Sequence, residues 1–166
     1  MPEAISDSST LIHLAGIERL EVLKEFYQEI FIPPAVWKEV VEEGLSRPGA
    51  AEVKEAINAG WIKVKAPTND SVVRLLEREL HKGEAEAIAL AIEHNANVVF
   101  LDELEARRVA NVYGLHITGT IGILIRARLE GKIASLHEEL DELRDNAGFW
   151  IGDEIYRRAL QAVAEE

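Results

Sequence analysis

Four carboxylates stand where their sequence positions suggest chemistry. Asp7 follows the short apolar run Ala4-Ile5 at the end of a first strand, and Asp102 directly follows Val98-Val99-Phe100-Leu101. In an open α/β sheet ligands bind outside the carboxyl ends of the strands, so both acids fall where such a sheet builds its site. Each also stands where a helix opens. Asp7 precedes Ser8, Ser9 and Thr10, and Asp102 with Glu105 has capping-box spacing. A cap uses one carboxylate oxygen and leaves the other for a metal, so the two roles can coexist. Glu84 opens the stretch Glu84-Ala85-Glu86-Ala87-Ile88-Ala89-Leu90-Ala91. Its helical neighbours are Ala87, Ile88 and Ala91, an apolar stripe. An ionised carboxylate on such a stripe needs a partner or a metal. The plainer role is a first-turn glutamate complementing the helix dipole. Glu86 shares a more polar side with Glu93 and ranks behind Glu84. Glu39 follows Val36 by three and adjoins Val40, at the edge of an apolar face, whereas Glu42 and Glu43 read as solvated.

Carboxylates brought together without cysteine favour a hard, oxygen-loving cation such as Mg2+ or Mn2+. Such ions activate water and stabilise charge on a phosphate undergoing displacement. Without a cation, packed carboxylates repel and raise one another's pKa.

Short apolar runs alternating with helical periods must position these acids. Strands are expected at Ala4-Ile5, 29–32, 61–64, 97–101 and 115–117. Helices are expected from Thr10 to Gly16, over 35–43 after Pro34, over 48–59, 70–80, 83–94 and 103–113, and then to the C-terminus with breaks near Gly131 and Gly148. Strands separated by helices predict a three-layer α/β/α fold around a central parallel sheet. The chain reads as a single domain, residues 1–166. Its core spans about 3–133, and an acidic helical extension spans about 134–166.

The 166 residues carry a net charge of −12, half of it in the segment 134–166. A duplex coated by basic residues is therefore an unsuitable partner, but nucleic acid held locally through a metal ion is not excluded. With no cysteine there is no disulfide, thiol nucleophile, zinc ribbon or iron–sulfur cluster. No Gly-x-x-x-x-Gly-Lys-Ser/Thr occurs, and Gly119-Thr120-Ile121-Gly122 lacks the third glycine of a dinucleotide fingerprint. Thr120 reads as a helix cap. His13, His81, His94, His116 and His137 show no metal-pair spacing. Trp37, Trp61 and Trp150 read as core or interface. Arg74, Arg78, His81 and Lys82, with Arg107 and Arg108, either contact phosphates or form a solvated face. The apolar residues Leu11, Ile12 and Leu14 suit an interface or the core. No apolar run reaches the roughly 20 residues of a membrane span. The opening stretch lacks the regions of a secretion signal, so a cytoplasmic protein is expected.

Several stretches together resemble a PIN domain, the metal-dependent nuclease fold. They are Ile5-Ser6-Asp7-Ser8-Ser9-Thr10-Leu11-Ile12, Ile32-Pro33-Pro34-Ala35-Val36-Trp37-Lys38-Glu39-Val40, Gly83 to Ala91, Val98-Val99-Phe100-Leu101-Asp102-Glu103 and Gly119-Thr120-Ile121-Gly122-Ile123-Leu124. The resemblance covers about residues 3–133 and is nearest to a prokaryotic branch related to the toxin ribonucleases of VapC-type toxin–antitoxin pairs. It implies acids converging at one sheet edge. Asp7, Glu39, Glu84 and Asp102 would be catalytic, and Asp7, Glu84, Asp102 and Glu105 would hold Mg2+ or Mn2+. Ser9 and Glu86 would support the site, and Arg107 and Arg108 would meet the substrate. The helix acid, commonly Asp in the toxins, is Glu84 here. The implied reaction is attack of metal-activated water on an RNA phosphodiester, leaving a 3′-hydroxyl and a 5′-phosphate. The implied partners are RNA, an antitoxin protein and a second copy of the chain in a homodimer. Two other readings stay open. One is a catalytically weak or inactive module binding RNA or protein. The other is a metal-dependent phosphatase with Asp7 as nucleophile, although such enzymes usually carry a second Asp where this chain has Ser9.

Overall fold

The computed structural model describes residues 2–44 and 47–165; Met1, Leu45, Ser46 and Glu166 lie outside the described residues. Five parallel strands form one sheet: β1 (Glu3–Ser6), β2 (Glu29–Ile32), β3 (Ile62–Val64), β4 (Val98–Phe100) and β5 (Ile117–Thr118), in the order β3-β2-β1-β4-β5. Ile5 lies opposite Phe31 on one side and Val99 on the other. Successive side chains of a strand point to opposite faces, so each strand supplies both layers. Ala4, Ile30, Ile32, Ile62 and Phe100 face one core, while Ile5, Val99 and Leu101 face the second with Phe31 packed against it. Apolar residues on both faces demand helices on both faces. The first layer is α1 (Ser8–Gly16), α4 (Ala50–Ala59), α8 (Thr120–Leu129), α9 (Leu136–Asn146) and α10 (Asp153–Ala162). The second is α5 (Asp70–Leu76), α6 (Lys82–His94) and α7 (Leu104–Val112).

The expected three-layer α/β/α fold is the one observed, with instructive differences. A 3-10 turn at Leu20–Val22 and the short helix α2 (Leu23–Phe26) fill a stretch with no expected element. Leu20, Leu23 and Phe26 anchor it in the first core. The helix expected over 35–43 is split. It begins as α3 (Pro34–Trp37) and widens into a π-helical segment, Lys38–Glu42, which carries Glu39. Such widened turns are rare and concentrate at functional sites.

The acidic C-terminal helices pack into the first core rather than hanging beside it. Leu136, Leu140 and Leu143 of α9 are fully buried. Leu11, Ile12 and Leu14 are also buried, so the apolar face of α1 is core and not an interface. No helix among the described residues is long and apolar enough to cross a membrane.

Candidate active site

The strand order reverses direction between β1 and β4, which are neighbours in the sheet but far apart in sequence. Open α/β sheets place their ligand crevice at such a switch point, at the carboxyl ends of the strands. Asp7 and Asp102 both stand there.

Asp7 caps α1: its Oδ1 accepts a 3.0 Å hydrogen bond from the Thr10 N–H. Its own N–H donates to the Phe100 carbonyl at 3.2 Å, pinning the end of β1 to β4. The residue is only 2% exposed, and its Oδ2 is buried with no hydrogen-bond partner. Among the described residues the one other buried side-chain polar atom left so is Thr10 Oγ1, in the same turn. Burial pushes the Asp7 carboxyl well above its ordinary range; the Asp102 charge adds to that, and so does Glu84, while the bond from the Thr10 N–H opposes it. A buried ionised carboxylate with a free oxygen and like charges around it is unfavourable until a cation or proton arrives.

Asp102 is treated differently. Its Oδ1 accepts from the Thr120 N–H at 2.7 Å, and its Oδ2 accepts from Thr120 Oγ1 at 2.6 Å and His13 Nδ1 at 2.8 Å. Gly119 makes this possible. A Cβ there would lie 2.6 Å from Asp102 Oδ1 and 2.9 Å from the Leu101 carbonyl oxygen. Asp102 does not open α7 as the capping-box spacing suggested: Glu103 holds the cap position, with no side-chain cap bond.

Glu39 Oε2 accepts from Ser8 Oγ at 2.7 Å. A Cβ at Gly83 would run into Glu39 Oε1, so glycine lets the start of α6 approach this carboxylate. Glu84 accepts from the His81 N–H at 3.2 Å and closes the N-terminus of α6. Burial raises its pKa, the His81 N–H opposes, and the charges of Glu103 and Glu39 add to the rise. The charges of Asp102 and Glu84 thus reach Asp7, and those of Glu103 and Glu39 reach Glu84.

The two α6 acids differ in burial. Glu86 is the more deeply buried, and its Oε1 accepts from the Ala35 N–H at 3.0 Å. Helix α3 opens on Pro33-Pro34 without a side-chain cap, so an acid from α6 serves instead. Periodicity along α6 cannot register a helix lying across it.

Other expected residues fall into place unevenly. Ser8, not Ser9, donates to a site carboxylate. Glu105 is exposed and bonded to Arg108, which lowers its pKa; Glu103 is the acid whose charge reaches Glu84. Arg108 is taken up by Glu105 and Glu79. Arg107 is part-buried, donates to the Leu101 carbonyl at 3.0 Å and lies beside Gly119 and Asp102. Trp37 and Trp61 pack against the first core, while Trp150 is 85% exposed.

Sequence reasoning missed Ser8 and His13 as partners of the site carboxylates and saw Thr120 only as a cap. The signal for Ser8 was its place beside Asp7; for His13 there was none, because its partner lies on a distant strand.

Clustered oxygen donors with one buried oxygen unpaired fit a hard divalent cation in chemical type. The fit is not preset. Among the described residues no group of three or more His, Asp or Glu side chains is arranged to hold an ion as it stands.

Among curated proteins none matches this chain. A family model described as a PIN domain matches residues 3–165, through the C-terminal helices and well beyond the stretch that carries the sequence resemblance. Its nuclease-type fold accounts for acids gathered at the switch point of a parallel sheet, and the chain belongs to the PIN-domain family.

Proposed function

We propose that the protein is a metal-dependent endoribonuclease that hydrolyses RNA phosphodiesters at Asp7, Glu39, Glu84 and Asp102. One observation carries this reading: the buried, unpartnered Oδ2 of Asp7, set among like charges. Folding that oxygen away from water without a partner costs stability, and a cation would repay the cost. Asp7, Glu84 and Asp102 would hold Mg2+ or Mn2+, whereas the exposed Glu105 is taken up by Arg108. A bound divalent ion supplies an activated water and neutralises charge on the phosphate.

The chain's own residues do the rest. Thr120 and His13 fix Asp102, and Ser8 holds Glu39. Glu84 gives one oxygen to the His81 N–H and keeps the other for an ion. Arg107, beside Asp102, keeps guanidinium N–H groups free for a phosphate oxygen. The products would be a 3′-hydroxyl and a 5′-phosphate. An antitoxin protein, a homodimer and a cytoplasmic setting belong to the same reading.

A second reading, an RNA- or protein-binding module with weak or absent catalysis, draws on a specific observation. Asp102 already has both oxygens engaged, and no three-residue ligand set is preformed among the described residues. The deciding experiment incubates labelled single-stranded RNA with the protein in Mn2+, in Mg2+ and in chelator, beside an Asp7→Asn preparation made identically. Metal-dependent cutting lost in the variant supports the nuclease. RNA binding without cutting, in either metal, supports the module.

A further inference from the structure

We infer that His13 is a positioning residue for Asp102, and that Phe149 of the C-terminal segment sets His13. The inference rests on the reading above that Asp102 ligates a cation.

Asp102 Oδ2 takes two hydrogen bonds, and they come from different parts of the chain. Thr120 opens the helix that follows β5, directly beside the acid. His13 belongs to α1, the helix capped by Asp7. One short helix therefore carries a bond to each acid of the switch point: its N-terminal N–H to Asp7 and the His13 ring to Asp102. This fixes the separation of the two carboxylates through a rigid element rather than through a loop. The His13 and Asp102 side chains are 17% and 6% exposed, so water competes little for the bond.

The imidazole needs its own restraint, because a histidine ring turns freely about its last torsion. Phe149 supplies it. The two rings meet edge to face, with centroids 4.4 Å apart and planes at 80°. Phe149 is placed by three features of the segment after α9. Its N–H donates to the Leu143 carbonyl at 3.0 Å. Gly148 takes φ +66°, turning the chain back. Ala147 packs so closely on α1 that a Cβ at Gly16 would lie 3.3 Å from its own Cβ. The relay thus runs from the C-terminal helices through Phe149 and His13 to Asp102. It gives those helices a part in the site beyond packing.

Partners that orient a ligating side chain typically contribute 10- to 100-fold to metal affinity. The test is calorimetric titration of Mn2+ into the full chain, with melting temperatures taken in chelator to check folding. His13→Ala is expected to raise the Mn2+ Kd about tenfold. His13→Asn places an amide N–H near the Nδ1 position and should recover affinity to within about threefold. Phe149→Ala should weaken binding by about threefold. Phe149→Leu, which keeps bulk but no ring, serves if the alanine variant does not fold. Because Phe149 acts through His13, the double variant should bind no worse than His13→Ala alone. Unchanged affinity in His13→Ala, alongside lost binding in Asp102→Asn, would overturn the positioning role while leaving the metal site standing. Additive losses in the double variant would overturn the relay. If the wild type takes up no Mn2+, or Asp102→Asn binds it equally well, the metal reading fails and this inference falls with it.

Discussion

The C-terminal helices and the carboxyl edge of the sheet are both rich in acids, and they treat them in opposite ways. In the C-terminal region each buried or half-buried acid is answered. Glu139, 6% exposed, accepts from Arg19 Nε at 2.6 Å. Glu165 accepts from the Leu136 and His137 N–H groups at 2.8 and 3.1 Å and from Arg128 Nε at 2.8 Å. Burial works against its charge, yet these bonds carry its pKa below the ordinary value. Asp141 accepts from the Tyr156 hydroxyl, whose pKa burial and that bond push up to about 12. At the sheet edge Asp7 is more deeply buried than any of these, and one of its oxygens has no partner. Acids that serve the fold are paired with donors. An acid that the fold buries unpaired works against stability until a cation or a proton meets it.

The largest effect should come from removing the unpaired charge. Asp7→Asn keeps the cap bond from Thr10, since Asn caps helices as well as Asp. It removes the negative charge a cation would meet. Metal-dependent RNA cleavage should fall about a thousandfold, roughly 4 kcal/mol of transition-state stabilisation. In chelator the variant should melt higher than wild type, by about 2–4 °C for each kcal/mol gained. Lost cleavage with unchanged or lower melting would mean that Asp7 is a compensated acid after all.

Next in size, and on the other side of the comparison, is Arg19→Ala. It strands the buried Glu139 without its cation. The Arg19 side chain is 41% exposed, so water screens the pair and softens the loss to about 2 kcal/mol, a drop in melting temperature of roughly 4–8 °C. Mn2+ affinity should stay at the wild-type value. A variant that melts like wild type would show that water replaces Arg19 at no cost. Glu165→Ala is the smaller case. It frees two first-turn N–H groups of α9 and Arg128, a loss of about 1–2 kcal/mol seen in the melting curve alone.

How far the sequence reveals these two regions follows from where the partners lie. Asp7 and Asp102 are legible because each directly follows an apolar strand run, a local pattern. The parallel sheet is legible for the same reason: strand runs alternate with helical periods. Glu86 was placed on the polar side because helical spacing compares a residue only with its own helix. The uncapped Pro33-Pro34 opening of α3, across the chain, is what buries it. Glu105 enters as a ligand through the family resemblance, and its capping-box spacing after Asp102 fails because the helix begins one residue later than that spacing assumes. His13 offered no local signal. The acidic C-terminal stretch looked like an appendage because its charge is conspicuous in sequence, whereas its buried Leu136, Leu140 and Leu143 are only three residues in a charged run.

The subtlest test of the comparison is pH. The two regions should move stability in opposite directions as acid is added. Asp7 has a folded pKa above its unfolded value, burial being the main cause. As pH rises past about 4, the unfolded chain releases this proton first, so rising pH favours unfolding until the folded group also ionises. Glu84 shares that sign. Glu165 has the reverse: its folded pKa lies below the ordinary value, so its contribution is full above the unfolded pKa and is lost as pH falls through the folded one. Denaturant midpoints of the metal-free protein, measured from pH 4 to 8, should therefore show a downward slope with rising pH that Asp7→Asn flattens. The slope from one group cannot exceed about 1.4 kcal/mol per pH unit. Glu165→Gln should flatten the acid limb and leave that slope intact. Saturating Mn2+ should remove the Asp7 slope by giving its oxygen a cation in place of a proton. Parallel profiles for wild type and Asp7→Asn would place the cost of burying Asp7 elsewhere, and the contrast between the two acidic regions would lose its physical basis.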